Sequence, residues 1–435
     1  MRFLIALLFV LSGQVLAGPQ IQHWVAPTGA KVYFVESRSL PILDVAVDFV
    51  AGGARSSMGP VDKAGVASLT ASLLEAGAKG PNEDLDEEQI SARLVDLGAR
   101  LSSGSDQDKA HISLRTLSSI EEKSGALAMM RAVLSAPTFP ETVLAREKVR
   151  TIEALKDAET RPDSIVAKRF AAAIYAGHPY GRSATPESVA LITRDDLVQF
   201  HKTHYVAGNA VISILGDVSR EEAEAIAIQL TESLPAGHTI APLPPVTLPA
   251  RDTLKVSHPA TQSHIRVGLP AIKRDAGPDY FALLVGNYTL GGGGFVSRLM
   301  KEVREKRGYA YSVYSNFSPR VLPGPFEIGL QTKREQAQDA LKVVEEVLTD
   351  FLAKGPTEQE LAAAKKNLID GHALRIDSNA KLLSYLSLIG FYGLPLDYLD
   401  QFPRLVEAVT RDDVKAAFQR YIKAEHLVTV VVAAD

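Results

Sequence analysis

The sequence predicts an α+β protein of two similar halves, each a mostly antiparallel sheet layered with helices, joined by a proline-rich linker. Three observations carry this expectation. First, Ile192-Thr-Arg-Asp-Asp-Leu197 recurs as Val409-Thr-Arg-Asp-Asp-Val414, and each copy runs through a helical pattern into a β-rich stretch, 210–215 and 427–432. The same offset of 217 pairs Glu141 with Glu358, Leu144 with Leu361, Ala145 with Ala362, Lys148 with Lys365 and Ile152 with Ile369, which marks an internal duplication. Second, runs with strand character (31–36, 42–50, 111–115, 264–269, 326–331) mix with helical patterns (61–76, 86–97, 141–158, 336–352, 358–372). Several of the links between strands are of hairpin length, which favours antiparallel pairing. Third, residues 235–250 carry prolines at 235, 242, 244, 245 and 249, a composition suited to neither helix nor central strand.

Taken in order, the chain opens on one positive charge, Arg2, an apolar run over 3–11, a polar break at 12–14, and then Val15-Leu16-Ala17. This is the pattern of a secretory signal with cleavage after Ala17. The apolar run falls far short of the roughly 20 residues needed to span a bilayer. The expected map is therefore a signal at 1–17, a first half at 18–234, the linker at 235–250 and a second half at 251–435. The mature protein is expected in the periplasm or secreted, with no membrane attachment once the signal is removed.

Composition narrows the chemistry. With 46% hydrophobic and 23% charged residues the chain is globular, and 435 residues exceed one ordinary core. A net charge of -4 offers no basic excess for a nucleic-acid partner. The absence of cysteine excludes disulfides, thiolate metal sites and cysteine nucleophiles. Of the ten histidines only His201 and His204 are spaced for one metal ion, and no acid lies between them. The matching positions of the second copy, Phe418 and Tyr421, are not histidines, so polar positions near a helix end are expected. The glycines 291–294 are followed by Phe-Val-Ser-Arg-Leu and not by Gly-Lys-Ser/Thr, so they are read as a flexible loop and not as a phosphate cradle.

Several segments in this order resemble the pitrilysin-type (inverzincin) zinc metallopeptidase family. In the first half these are Gly52-Gly-Ala-Arg-Ser-Ser57, Gly65-Val-Ala67, Leu73-Leu-Glu-Ala-Gly-Ala-Lys-Gly80, His178-Pro-Tyr-Gly181, Thr185-Pro-Glu-Ser188 and Gly216-Asp-Val218. In the second they are Leu290-Gly-Gly-Gly-Gly294, Ser297-Arg-Leu299 and Val303-Arg-Glu-Lys-Arg-Gly-Tyr-Ala-Tyr-Ser-Val-Tyr314. The resemblance spans nearly all of the mature chain and implies a fold of the mitochondrial processing peptidase kind. Peptide-cutting members carry His-x-x-Glu-His on the first long helix, two histidines binding zinc and the glutamate acting as base. Aligned through Gly65-Val-Ala67, those positions here are Ser68, Leu69, Thr70, Ala71 and Ser72. The family's further glutamate ligand is expected in a helix resembling 141–158, where Glu147 and Glu153 stand, but a lone carboxylate does not hold zinc against water. No metal ligand set and no cofactor is therefore expected in this chain.

What the resemblance leaves is the family's Arg/Tyr pair, seven residues apart after the glycine loop, which holds substrate backbone opposite the zinc. Here it corresponds to Arg304 and Tyr311, with Tyr309 and Tyr314 as the nearest competing tyrosines. A guanidinium is a permanent cation with a fork of donors, and a phenol can donate to a carbonyl. The expected function is a non-catalytic, substrate-binding subunit of a heterodimeric zinc peptidase acting on peptides, with the zinc on a homologous partner chain. The alternative is a catalytically dead scaffold or peptide-binding protein of the same fold.

Overall fold

The chain is described here from a computed structural model that covers residues 20–56, 62–80, 83–237 and 240–433. The expected signal at 1–17 lies outside these residues. The first half opens with β1 (Gln22–Val25), β2 (Lys31–Glu36) and β3 (Ile42–Phe49). Helix α1 (Val66–Ser72), the small hairpin β4 (Gly77–Lys79) and β5 (Asp84–Asp86), helix α2 (Glu87–Asp96) and the hairpin β6 (Arg100–Ser105) and β7 (Ala110–Leu117) follow. Helices α3 (Ile120–Ser135), α4 (Glu141–Ala158), α5 (Pro162–Ile174), α6 (Pro186–Leu191) and α7 (Arg194–His204) lead to β8 (Ala210–Gly216) and α8 (Arg220–Thr231). The second half has β9 (Asp252–Val256), β10 (Gln262–Ile272), α9 (Pro278–Asn287), β11 (Ala310–Phe317) and β12 (Gly324–Lys333). It continues through α10 (Ala337–Lys354), α11 (Glu358–Asp370), α12 (Asn379–Tyr392), α13 (Tyr398–Ala408) and α14 (Arg411–Tyr421) to β13 (Val428–Val432).

The duplication is visible in the sheets. The first runs β1-β2-β8-β3-β7-β6 and the second β9-β13-β10-β12-β11, so the second repeats the first without its edge strand β1. Pairing is antiparallel except that the last strand of each half lies parallel to an early one, β8 beside β2 and β13 beside β9. Side-chain contacts repeat at the same offset. Arg194 Nε donates to the Phe139 carbonyl at 3.0 Å, and Arg411 Nε to the Pro356 carbonyl at 2.7 Å. Lys148 Nζ reaches the Ala190 carbonyl at 2.8 Å, and Lys365 Nζ the Glu407 carbonyl at 2.6 Å. Thr193 and Thr410 cap α7 and α14 with reciprocal Asp196 and Asp413 capping boxes. The fold class expected from the sequence therefore stands.

One helical expectation needs correction. Within 61–76 only Val66–Ser72 is α-helical; Gly65 precedes it at φ +107, a left-handed conformation that blocks extension toward the N-terminus, and a 3-10 turn at Leu74–Ala76 follows.

The two halves exchange helices. α5 of the first half lies on β10 and β13 of the second sheet, while α12, beginning 217 residues later, lies on β2, β3 and β8 of the first. Val166, Phe170 and Ile174 of α5 pack on Val428, Val430 and Val432, and Leu383 and Leu386 of α12 pack on Val35, Ala46 and Leu215. Both faces of β3 are thereby covered, and every residue from Leu43 to Phe49 is buried. Gly390 lets α12 approach closely, since a Cβ there would lie 2.6 Å from Val211 Cγ1 and 2.7 Å from the Tyr33 ring. Residues 240–250 carry no helix or strand and run along the body, with Leu243 and Val246 packed against the α5 cluster. His178 pins that segment, donating from Nε2 to the Pro244 carbonyl at 2.9 Å while its Nδ1 accepts from Tyr180 N at 3.0 Å.

Candidate functional site

Arg304 and Tyr311 come together at two irregularities of the backbone. After α9 the chain tightens into a π-helical turn, Tyr288–Gly292, and Arg304 rides on a second one, Met300–Glu305. Such turns place side chains off the regular helical positions and recur at functional sites. Tyr311 lies on β11, the edge of the second sheet, where the pairing with β12 shifts register between Ala310 and Ser312. It is thus the extra residue of a β-bulge, and a bulge re-aims its side chain. The Arg304 guanidinium packs over the Tyr311 ring at 4.7 Å and over the Phe295 ring at 4.9 Å. Contacts of this kind are worth about 0.5–1 kcal/mol at exposed sites. No described residue accepts a hydrogen bond from the guanidinium or pairs with its charge. Its neighbour Glu302 is instead taken up by Lys306 and Arg307. The donors of Arg304 therefore remain available to something outside the chain.

The competing tyrosines are differently employed. Tyr309 is half-buried against the second core. Tyr314 lies over Gly329, where a Cβ would come 2.5 Å from its Cζ, and burial pushes its pKa up. Tyr311 is 82% exposed against 38% for Tyr314, so its phenol is the accessible one. Sequence reasoning passed over Phe295, which is 62% exposed although it follows directly on the four glycines.

Ser68 and Ser72 sit one turn apart on the exposed side of α1, whereas Ala71 is fully buried. Ser68 lines a cavity of about 530 Å³ between the halves, shared with Arg320 and Tyr392 of the second half. Ser72 donates to the Leu69 carbonyl at 3.2 Å and lines a separate cavity of about 460 Å³ with Glu75 and Glu147. Burial raises the pKa of Glu75, against a smaller lowering by the hydrogen bond from the Ser103 hydroxyl. Glu147 is held between guanidinium groups, 2.9 Å from Arg146 and 3.0 Å from Arg150, and Glu153 is exposed elsewhere on α4. Hydroxyls and a carboxylate neutralised by arginine do not fit a zinc ion. Among the described residues, no three His, Asp or Glu side chains are placed to hold a metal.

His201 is a core histidine and His204 a half-buried one. His201 stacks on Tyr205 at 4.7 Å and donates from Nε2 to the Leu134 carbonyl at 2.9 Å. Burial pushes its pKa down to about 4, and burial followed by the charge of Arg55 pushes that of His204 down to about 4. An unfolded histidine takes up its proton near pH 6.5, so the unfolded state binds more protons than the folded one between about pH 6.5 and 4. Stability contributed by neutral His201 is thus complete above pH 6.5 and is lost as pH falls toward 4, by ~2 kcal/mol at pH 5. Thermal melts at pH 7 and pH 5 should show a smaller acid-induced drop for His201→Gln than for the parent chain; equal drops would remove His201 from this account.

The halves meet at the buried carboxylate of Asp108, on the β6–β7 turn. It accepts hydrogen bonds from the phenols of Tyr180 and, at 3.0 Å, Tyr392, and from Val321 N at 2.9 Å. Nearby, Lys109 is 2.8 Å from buried Asp48 and donates to Ser387 of α12 at 2.6 Å. Burial first, then the charge of Asp108, raises the pKa of both Tyr180 and Tyr392, so both phenols stay protonated donors.

Comparison with known proteins identifies the family and the fold. The family model described as the peptidase M16 inactive domain matches residues 191–368. A Helicobacter pylori protein described as "Non-peptidase homolog YmxG" is 27% identical over 425 residues, 95% of each chain. The crystal structure of a peptidase M16 inactive domain from Pseudomonas fluorescens superposes with a TM-score of 0.89 at 38% identity, over 95% of this chain and 98% of that one. The periplasmic protease PqqL from Escherichia coli shares the fold, with a TM-score of 0.79 at 18% identity over 100% of this chain and 49% of its own.

Proposed function

The chain belongs to the peptidase M16 family, as a homologue of its inactive domain, and from that premise we propose that it is the non-catalytic, substrate-binding subunit of a heterodimeric periplasmic zinc metallopeptidase acting on peptides. The zinc comes with a homologous partner chain, and this chain contributes Arg304 and Tyr311. The observation that carries the reading is the Arg304 guanidinium, stacked on two rings at the surface with no protein acceptor for its donors. A charged fork left in that state matches the carbonyl oxygens of an extended peptide, with the exposed phenol of Tyr311 as a second donor. Ser68, Ala71 and Ser72 supply neither ligand nor base, so hydrolysis falls to the partner. The pattern at 1–17 supports export, and the partner is expected in the same compartment.

The test is co-expression with a neighbouring reading frame that encodes an intact His-x-x-Glu-His chain. The two chains should co-purify, and the pair should cleave unfolded peptides until chelator is added. The present chain alone, equilibrated with zinc and desalted, should retain far less than one zinc per molecule by mass spectrometry and cut nothing. A chain that keeps one zinc and cleaves peptide unaided would overturn the reading, and a pair that never forms would favour a peptide-binding or scaffold role.

A further inference from the structure

We propose that Phe295 is a positioning residue that presents the Arg304 guanidinium to the bound peptide; this rests on the peptide-gripping reading above. The glycine run before it has a packing role. A Cβ on Gly291 would lie 2.4 Å from Ser315 N, one on Gly292 2.6 Å from Asn287 Nδ2, and one on Gly293 2.5 Å from the Tyr288 carbonyl oxygen. Gly294 then takes φ +61, where a side chain is strained. The loop is thus pressed onto β11, correcting the expectation of a freely flexible segment. Its base is held there by Asn287, which donates to the Ser315 carbonyl at 3.1 Å and accepts from Ser315 Oγ at 2.6 Å. Phe295 is the first side chain the run admits, and it lies over Arg304 from a backbone that β11 itself anchors.

An arginine on a solvent-facing turn samples many rotamers, and ordering it for a ligand costs free energy on binding. Two rings fixed to separate elements, Tyr311 on the bulge and Phe295 on the glycine loop, remove that freedom in advance while leaving the N–H edge open. The stack also explains why a Phe that is 62% exposed has not turned inward.

The experiment uses the full mature chain, with Phe295→Ala, Phe295→Leu, Phe295→Tyr, Arg304→Ala and the double Phe295→Ala/Arg304→Ala variant, each checked for an unchanged thermal melt. Affinity for a fluorescein-labelled unstructured peptide with blocked termini is measured by anisotropy. The Arg304 Nε–Hε NMR signal is followed without peptide. Phe295→Ala and Phe295→Leu should weaken binding about three- to five-fold. Phe295→Tyr should retain it, and the double variant should bind no worse than Arg304→Ala. The Nε–Hε signal should lose the Phe295 part of its ring-current shift in Phe295→Leu, keeping that from Tyr311, and keep the whole of it in Phe295→Tyr. Additive losses in the double variant, full binding by Phe295→Leu, or an unmoved NMR signal would overturn the positioning role while Arg304→Ala still weakens binding. Binding unaffected by Arg304→Ala would instead overturn the gripping reading itself.

Discussion

Arg304→Ala is expected to lower peptide cleavage by the reconstituted pair about 100- to 1000-fold, the usual consequence of removing one fixed donor that faces developing or polarised carbonyl charge. The effect is large because the guanidinium spends no binding capacity on its own protein: it has two aromatic neighbours and no acceptor among the described residues. Folding should be nearly untouched, since the loss is confined to stacking at an exposed site, about 1 kcal/mol. Arg304→Lys keeps the charge but not the planar fork, so it should recover only part of the activity. Tyr311→Phe keeps the ring under Arg304 and removes only the phenol, and should cost less than either. The measurement is kcat/KM of the pair at fixed partner concentration. Full activity of the Arg304→Ala pair would remove Arg304 from the grip.

The second large effect concerns stability. Asp108→Ala is expected to destabilise the chain by roughly 3–5 kcal/mol, because it strands the buried phenol of Tyr180, the half-buried phenol of Tyr392 and a backbone N–H that share one buried carboxylate. The melting temperature should fall by about 3–6 °C, since the unfolding entropy of a chain this long spreads the loss over a large ΔS. Asp108→Asn retains one acceptor oxygen and should fall in between, while Tyr392→Phe removes a single hydrogen bond and should cost ~1 kcal/mol. The transition should remain a single one in calorimetry. With α5 on the second sheet and α12 on the first, neither half keeps its second sheet face covered if the other unfolds. A melting temperature within 2 °C of the parent for Asp108→Ala would show that the junction does not depend on this carboxylate.

Much of the fold was legible because the duplicated segments are local. Thr193 with Asp196 and Thr410 with Asp413 are capping boxes that any copy of the motif would form, and strands such as Lys31–Glu36 are written as compact β-branched and aromatic runs. The sequence pattern does not mark helices α5 and α12, for a tertiary reason. Each is packed between its own half and the other half's sheet, so α12 in particular is apolar on most sides and gives a weak amphipathic period. The pattern around Ser68 predicts a longer helix than forms because the periodicity continues through residues on either side, while the left-handed Gly65 is a property of the folded loop.

By itself the sequence determined the two-half α+β architecture and the family, and through that resemblance it singled out Ser68, Ala71 and Ser72 as candidate emptied metal positions and Arg304 with Tyr311 as the remaining candidate pair. Those follow from residue identity and spacing, which chain order preserves. Only the tertiary structure decided which tyrosine is free, that Phe295 joins the pair, that His201 is a neutral core residue and His204 a neutral half-buried one, and that the halves are locked by exchanged helices and one buried aspartate. Exposure, stacking and desolvation depend on what the fold brings near each side chain from distant parts of the chain. A π-turn and a β-bulge, neither written as a local pattern, set Arg304 against Tyr311.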